Sequence, residues 1–313
     1  MLFGGEIKTM ENLKRQVTEV AILYYKENMT QQQIAEKLGL TRQTISKLLK
    51  IALDEGIVKI TINDPEKQTQ KLESELSERL GVKVVVGELT NGDITLRKIA
   101  TVRTACDYLI KSIADGNNKI GIAWGKTVQE VIEEVDKQKT CGNIIFPLVG
   151  ATNRDVGCYY TNKMVEEFAK KTDATVHYAM FPNYVSKDDC DLIKRTKAYK
   201  DICELWGQMD IALVGIGNNK MVNDLRRNFD KTAIDDNFAG DIVTHIFDND
   251  GNIINQSQDS LCVPFEDVKR AKNTIAVAYG NLKVEAIICA CKTGAINTLI
   301  TDEYTAREIS EVI

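Results

Sequence analysis

The chain has 313 residues, of which 43% are hydrophobic and 27% charged, a composition typical of globular proteins with room for a small domain and a larger one. Its formal net charge of −5 argues against a protein that coats nucleic acid over its whole surface. It contains no run of about 18 apolar residues and begins with a charged stretch, so we predict no membrane span, no secretory signal and a cytoplasmic location.

The charge is unevenly distributed along the chain. Residues 14–61 contain eight basic and five acidic side chains, a net charge of +3, which leaves −8 for the rest of the chain. A mildly basic segment on an acidic body is expected when only that segment contacts DNA.

The N-terminal segment has the spacing of a helix-turn-helix. Apolar residues recur with a helical period over residues 17–25, and Thr30 with a glutamine three residues later predicts the capped start of a second helix. Counting from position 31, Ala35, Gly39 and Ile45 come fifth, ninth and fifteenth. The small residue lets two helices approach, the glycine makes the turn between them, and the branched residue fills the gap that they leave.

The third helix of this motif, opened by a threonine cap, is the predicted recognition helix. Arginine and glutamine can make paired hydrogen bonds to guanine and adenine edges, whereas serine, threonine and lysine suit phosphates. The predicted DNA-binding residues are Thr41, Arg42, Gln43, Thr44, Ser46 and Lys47. A plain helical bundle with a solvated polar face is the alternative. Residues 57–62 resemble a short strand or wing, which gives a predicted winged DNA-binding domain over residues 1–62.

A turn signal at residues 63–65 separates this domain from the rest of the chain. Leu72, Leu76 and Leu80 lie four apart in a stretch rich in lysine, glutamine and glutamate, which predicts an amphipathic linker helix within residues 63–80. Its narrow apolar stripe could pair with a second copy in a dimer or pack against its own domain, and the sequence favours neither.

From residue 81 to residue 313, β-branched runs alternate with helical patterns, which predicts a Rossmann-like α/β domain with a parallel sheet. The predicted strands are residues 83–86, 119–123, 143–149, 175–180, 211–216, 274–278 and 298–301. The predicted helices between them include residues 96–114, 128–137, 162–171 and 283–292.

Three glycine-bearing turns follow predicted strands, at the edge of the sheet where α/β folds bind ligands. They are GIAWGKT at 121–127, LVGATN at 148–153 and VGIGN at 214–218. The first runs into a helix, whose starting amides could hold a phosphate beside Lys126 and Thr127. Each turn taken alone is more often a simple tight turn, but their repetition favours a shared polar cleft.

Several motifs occur in a characteristic order: GIAWGKTV, LVGATN, LVGIGN, AGDIVTHIFDNDGNII, TIAVAYGNLKVEAI and LITDEYTAREI. This order, over nearly the whole chain, resembles the SorC family of sugar-binding transcriptional regulators. The resemblance implies an effector domain similar in fold to sugar-phosphate isomerases and deaminases. It also implies a phosphorylated sugar or related metabolite as effector, operator DNA as partner, and a homo-oligomer, typically a tetramer.

The resemblance further implies where the effector binds. Lysine and arginine would balance phosphate charge, an aspartate would bind sugar hydroxyls, and backbone amides would orient the ligand. By position, the implied effector-binding residues are Gly125, Lys126, Thr127, Gly150, Ala151, Thr152, Asn153, Asn162, Gly217, Arg226, Asp241 and Lys283. Val149 and Ala151 stand where some relatives carry arginine and glycine, which argues against a bisphosphate. Asp302 is expected either to cap a helix or to contact the ligand.

These patterns predict a DNA-binding transcriptional regulator, expected to be a repressor, that is controlled by a phosphorylated sugar bound in its C-terminal domain. The alternative is a sugar-phosphate isomerase or deaminase with an accessory DNA-binding domain. For that chemistry His245, four residues after Asp241, is the one candidate base. Eight scattered cysteines and two distant histidines predict free thiols and no metal site, and we expect no cofactor and no catalytic residue.

Overall fold

The computed structural model of the chain describes residues 3–59, 65–87, 92–151, 161–218, 238–255 and 260–313. The chain divides into two compact units, Met1–Asp64 and Pro65–Ile313. The first unit is helical and the second contains a parallel sheet with helices, as the sequence predicts.

Three helices form the first unit: α1 (Phe3–Tyr25), α2 (Gln31–Leu38) and α3 (Arg42–Asp54). The Thr30 side chain caps α2, and Gly39 ends it with a positive φ of 66°, the left-handed conformation that favours glycine. Val17, Ile34 and Ile45 are completely buried where the helices meet. Ile45 therefore fills the gap between the helices, as its spacing predicts, and burial of each such side chain contributes about 2 kcal/mol.

Helix α4 (Pro65–Leu80) belongs to the second unit, not to a separate linker. Leu72 and Leu76 lie in the core of that unit, and Leu76 has no exposed surface. The Glu73 carboxylate accepts a hydrogen bond from the Val86 N–H at 2.8 Å, which joins the helix to the first strand. Of the two arrangements that the leucine stripe allows, the structure therefore has the helix packed against its own unit.

Seven parallel strands form the main sheet, in the order β1-β10-β9-β5-β2-β3-β4. Their bounds are β1 (Lys83–Val86), β2 (Lys119–Ile122), β3 (Ile144–Pro147), β4 (Thr175–Val176), β5 (Ile211–Asn218), β9 (Asn273–Val277) and β10 (Thr298–Thr301). All seven coincide with predicted strands. The fourth is much shorter than the predicted residues 175–180, because its pairing with β3 extends over only two residues.

Helices cover both faces of the sheet. They are α5 (Ile94–Ile113), α6 (Lys126–Glu134), α7 (Thr161–Thr172), α8 (Lys187–Lys194), α9 (Lys197–Gly207), α10 (Phe265–Arg270), α11 (Val284–Lys292) and α12 (Glu303–Val312). Alternate residues of β5 point to opposite faces: Ile211 and Leu213 pack with α5, α6 and α7, whereas Ala212 and Val214 pack with α4, α9 and α11. This two-faced burial is the reason that the strands appear as continuous apolar runs.

An antiparallel extension, absent from the predicted elements, continues from β5. It consists of β6 (Phe238–Ile242), β7 (His245–Asp248) and β8 (Ile253–Asn255). Strand β6 pairs with the end of β5, where Gly217 lies opposite Asp241. The extension therefore brings a polar residue to the carboxyl end of the central strand.

The predicted wing after α3 is not seen as a strand in the described residues. Residues 57–59 form no strand, and the remainder of the predicted wing, residues 60–62, lies outside the described residues. Among the helices in the described part of the chain, none is both long and apolar enough to cross a membrane.

Candidate functional site

The predicted recognition surface lies on the outer side of α3. Arg42, Gln43, Ser46 and Lys47 are all exposed, and Ile45 between them is buried. This follows from the helical period, since residues three and four positions apart lie on the same side of a helix. The structure thus presents these four polar side chains together on the exposed side of α3.

Thr41 and Thr44 have a different position at the start of the same helix. The Thr41 hydroxyl accepts a hydrogen bond from the Thr44 N–H at 3.1 Å, and the two hydroxyl oxygens are 2.8 Å apart. These bonds satisfy the first turn of α3 and fix its direction. Within the unit, both threonines therefore position the exposed residues that follow them.

The first glycine turn has the form expected of a phosphate-binding helix start. Gly125 precedes α6 with a φ of 123° and, having no side chain, supplies no side-chain cap to the helix. A Cβ at Gly125 would meet no atom within 4 Å among the residues that the structure describes, so none of these residues fills the space beside the turn. Lys126 is exposed beside it. Uncapped amides of a helix start and a lysine form a favourable environment for an anion.

The second glycine turn is fixed by backbone contacts. A Cβ at Gly150 would come within 2.7 Å of the Pro182 carbonyl carbon, so only glycine fits. Ala151 forms backbone hydrogen bonds at 2.8 Å with Phe181 and Asn183. The predicted ligand residues Thr152 and Asn153 lie outside the described residues.

Two asparagines lie near this turn. The Asn162 side-chain amide both donates to and accepts from the backbone of Ala179, each at 3.0 Å, which occupies the group that we predicted to contact the effector. Asn183 has no exposed surface; its Oδ1 accepts from the Ser260 hydroxyl at 2.8 Å, and its Nδ2 has no partner within the described ranges. The sequence gives no signal for Asn183, because its contacts involve distant parts of the chain.

Beside the third turn, the buried carboxyl group of Asp241 lies near the half-buried Lys283. Gly217 lies against Asp241, whose Oδ1 would overlap a Cβ at position 217. The Lys283 ammonium donates a hydrogen bond to the Ile216 carbonyl oxygen at 2.7 Å. Burial raises the pKa of Asp241 to about 7, and the nearby Lys283 charge opposes that rise. Burial also lowers the pKa of Lys283, against the attraction of Asp241. The predicted Arg226 lies outside the described residues.

Hydrogen bonds connect these turns along one edge of the sheet. Strand β5 lies between β2 and β9, so their carboxyl ends are adjacent. The Trp124 indole N–H donates to the Val243 carbonyl oxygen, which connects the first turn to the hairpin of Asp241. The Tyr279 hydroxyl, after β9, donates to Glu130 of α6 at 3.1 Å. Lys126 at the start of α6, Asp241 in β6 and Lys283 after β9 are therefore carried by neighbouring, connected elements.

An ion pair lies beyond β10, at the same edge. Asp302 caps α12 by accepting hydrogen bonds from the N–H groups of Tyr304 and Thr305, at 3.1 and 3.2 Å. It also pairs with Arg97 of α5 at 2.7 Å. Of the two roles expected for Asp302, the structure shows the helix cap.

The candidate base of the enzymatic alternative, His245, is buried in the hairpin. Its Nε2 lies 2.8 Å from the Val263 carbonyl oxygen. A carbonyl only accepts hydrogen bonds, so Nε2 carries a proton and is not free to act as a base. Within the described ranges, His, Cys, Asp and Glu side chains form no group of three or more that could hold a metal ion.

Comparisons with known proteins match both units. A family described as "Putative sugar-binding domain" matches residues 64–310, and one described as "Sigma-70, region 4" matches residues 10–55. The chain is 29% identical to the sorbitol operon regulator of Klebsiella pneumoniae, over 94% of this chain and 96% of that protein. It is 27% identical to the deoxyribonucleoside regulator of Bacillus subtilis, over 96% and 99%.

A solved structure extends this similarity to the fold. The full-length sorbitol operon regulator from Klebsiella pneumoniae superposes with a TM-score of 0.73 at 28% identity, over 94% of this chain and 98% of that one. A transcriptional regulator from Streptococcus pneumoniae has the same fold, with a TM-score of 0.70 at 22% identity over 79% of this chain. Both the helical unit and the α/β unit thus have counterparts in one known protein.

Proposed function

The chain belongs to the SorC family of sugar-binding transcriptional regulators, and we propose that its effector is a phosphorylated sugar bound at the carboxyl ends of β2, β5 and β9. As a member of this family it is a sugar-responsive, DNA-binding regulator and not an enzyme. The isomerase or deaminase alternative is therefore set aside.

The open helix start at Gly125 is the observation that carries the phosphate proposal. Backbone amides of the first turn of α6 can donate to phosphate oxygens, and the exposed Lys126 supplies a positive charge. Thr127 adds a hydroxyl in the same turn. The neutral sugar itself would contribute little to such a site, so the phosphate group accounts for most of the recognition there.

The pair Asp241 and Lys283 supports the sugar end of the proposal. Asp241 lies in β6, which pairs with β5, and Lys283 follows β9, so both are carried by elements beside the Gly125 turn; Asp241 is only 8% exposed. A carboxyl group with a pKa of about 7 is partly protonated near neutral pH. It can therefore accept a hydrogen bond from a hydroxyl group or donate one to it. This pair is suited to orienting sugar hydroxyls.

Control of DNA binding requires two reading surfaces whose arrangement depends on the effector. We assign base contacts to Arg42 and Gln43, and phosphate contacts to Ser46 and Lys47. In a cytoplasmic homo-oligomer, effector binding would change the spacing or angle of two such helices on operator half-sites. Repression is the expected mode of action.

Replacing Lys126 with alanine tests the phosphate assignment. A charge-assisted hydrogen bond contributes about 1.5–3 kcal/mol, so the affinity for a phosphorylated sugar should fall by roughly 10- to 100-fold. Isothermal titration calorimetry of the full chain measures this directly. Affinity for DNA without effector should not change, since the substitution lies in the other unit.

The matched control is Lys137→Ala, at an exposed lysine shortly after the end of the same helix. It removes the same charge from the same unit without touching the Gly125 turn, and effector affinity should stay within about twofold. Equal affinities of wild type and Lys126→Ala would place the phosphate elsewhere.

A further inference from the structure

The Cys262 side chain packs against the apolar core of the second unit, but its thiol also has hydrogen-bonding groups beside it. The Thr244 hydroxyl donates to its sulfur at 3.1 Å, and His245 Nε2 is 3.9 Å from the same sulfur. Cys262 is also half-buried, whereas Cys106, Cys289 and Cys291 are buried. It therefore combines partial access with an environment that favours negative charge.

The orientation of His245 determines which proton faces the sulfur. Its Nε2 is protonated, because it lies 2.8 Å from the Val263 carbonyl oxygen, which can only accept. The same N–H is shared between that carbonyl and the Cys262 sulfur. The Phe265 ring, with its centroid 5.4 Å from that of His245, packs edge-on against the imidazole and limits its rotation. The imidazole is thus held as a donor toward the thiol.

The groups that surround the thiol lower the pKa of Cys262. Burial alone would raise the pKa of Cys262, but the hydrogen bonds and charge of His245 and the Thr244 hydroxyl outweigh it, and the pKa falls below its ordinary value. Asp241 in turn favours the charged imidazole of His245. Among the described residues, Ser260 and, from α9, Tyr199 also face the sulfur. In contrast, burial raises the pKa of Cys106 to about 11.

We propose that Cys262 is a modification site, a reactive thiol held by Thr244 and His245 that takes soft electrophiles and hydroperoxides. With a hydroperoxide, the thiolate sulfur attacks a peroxide oxygen, an S–O bond forms and the O–O bond breaks. The sulfur is oxidised to sulfenic acid by two electrons, the peroxide is reduced by two, and the leaving hydroxide or alkoxide takes a proton from solvent. With iodoacetamide, an S–C bond forms and iodide leaves.

The position of Cys262 connects this chemistry to the edge of the sheet described above. Its backbone bridges to Val149, next to the second glycine turn, and Thr244 lies in the hairpin turn that follows the strand of Asp241. An adduct on the sulfur would press against that hairpin. Any consequence for effector binding rests on the proposed function, but the reactivity of the thiol does not.

Site-resolved alkylation of the full chain tests the proposal. The folded protein is treated with iodoacetamide between pH 5.5 and 9, quenched, and mapped by peptide mass spectrometry, with the exposed Cys141 as an internal reference. The pH midpoint of the Cys262 rate should lie at least about one pH unit below that of Cys141, since rate follows the thiolate fraction. After hydrogen peroxide treatment, dimedone should label Cys262 ahead of Cys141.

His245→Gln should move the Cys262 midpoint upward and lower its rate at pH 7 by about tenfold, while the rate of Cys141 stays constant. Thr244→Val provides a second variant with the same direction of change, which keeps the test valid if the histidine variant does not fold. Coincident pH profiles for the two cysteines would overturn the proposal. Modification of Cys262 only after unfolding would overturn it as well.

Discussion

Replacing Arg42 and Gln43 together with alanine is expected to remove sequence-specific DNA binding. Each paired contact to a base edge discriminates by about 1–3 kcal/mol, so each recognition helix would lose about 2–6 kcal/mol of specific binding. The affinity for operator should therefore fall by about 30-fold or more, toward the affinity for unrelated DNA. Fluorescence anisotropy with labelled operator and scrambled duplexes, at fixed salt concentration, measures the ratio.

Helix α1 offers a control with the same two residue types. Arg15 and Gln16 are adjacent and exposed, and Arg15→Ala with Gln16→Ala removes the same charge and amide. Loss of a phosphate contact there would weaken binding to all sequences alike and leave the operator-to-scrambled ratio unchanged. If the Arg42 and Gln43 double variant kept the wild-type ratio, α3 would not be the recognition helix.

Replacing Arg97 with methionine should destabilise the second unit strongly. The Arg97 guanidinium pairs with Asp302 at 2.7 Å and lies over the Tyr304 ring, 4.6 Å from its centroid. The Asp302 side chain is only 3% exposed, so its carboxylate would be left buried without a cation. Removing one partner of such a pair costs about 3–5 kcal/mol, or roughly 10 °C in the midpoint of thermal unfolding.

Two further variants separate the ion pair from general damage. Arg103 lies on the same helix as Arg97 and pairs with Glu134 of α6, and these two side chains are 67% and 40% exposed. Arg103→Met breaks this exposed pair and should cost less than about 1 kcal/mol. Adding Asp302→Asn to Arg97→Met removes the unpaired charge and keeps a capping group, so the double variant should regain about 2 kcal/mol. Equal losses from Arg97→Met and Arg103→Met would contradict the buried-pair account.

The pH dependence of that loss follows from the pKa of Asp302. Burial alone would raise this pKa, but the hydrogen bonds from Arg97 and Thr305 outweigh burial and lower it. The pair therefore contributes stability above the ordinary carboxyl pKa of about 4, and this contribution is lost as pH falls through the lowered pKa. The difference between wild type and Arg97→Met should accordingly shrink between pH 7 and pH 3.

Local signals explain why much of the fold could be predicted. The helix-turn-helix depends on Ala35, Gly39 and Ile45, whose steric roles operate within fifteen residues of chain. The parallel strands are buried on both faces, so each is a continuous apolar run. The extension at residues 238–255 was missed because its strands are short, carry glycine and polar residues, and depend on pairing with the end of β5.

The candidate site was less accessible to prediction, because its contacts join distant segments. Asp302 pairs with Arg97, 205 positions earlier, and Ser260 contacts Asn183, 77 positions earlier. Neither partner belongs to a motif that single-sequence patterns reveal. Asn162 illustrates the converse: its place on a helix was predicted, but the Ala179 backbone that occupies its amide was not. Thr152, Asn153 and Arg226 lie outside the described residues, and their roles stay predictions.

A thermal-shift comparison of phosphorylated sugars with their unphosphorylated parents tests the central claim most directly. A ligand that binds only the folded chain stabilises it by about RT ln(1 + [L]/Kd), so 100-fold excess over Kd contributes about 2.7 kcal/mol. We expect at least one sugar phosphate to raise the unfolding midpoint by several degrees while its parent sugar does not. An equal shift with both members of every pair, or no shift with any phosphorylated sugar, would contradict the claim.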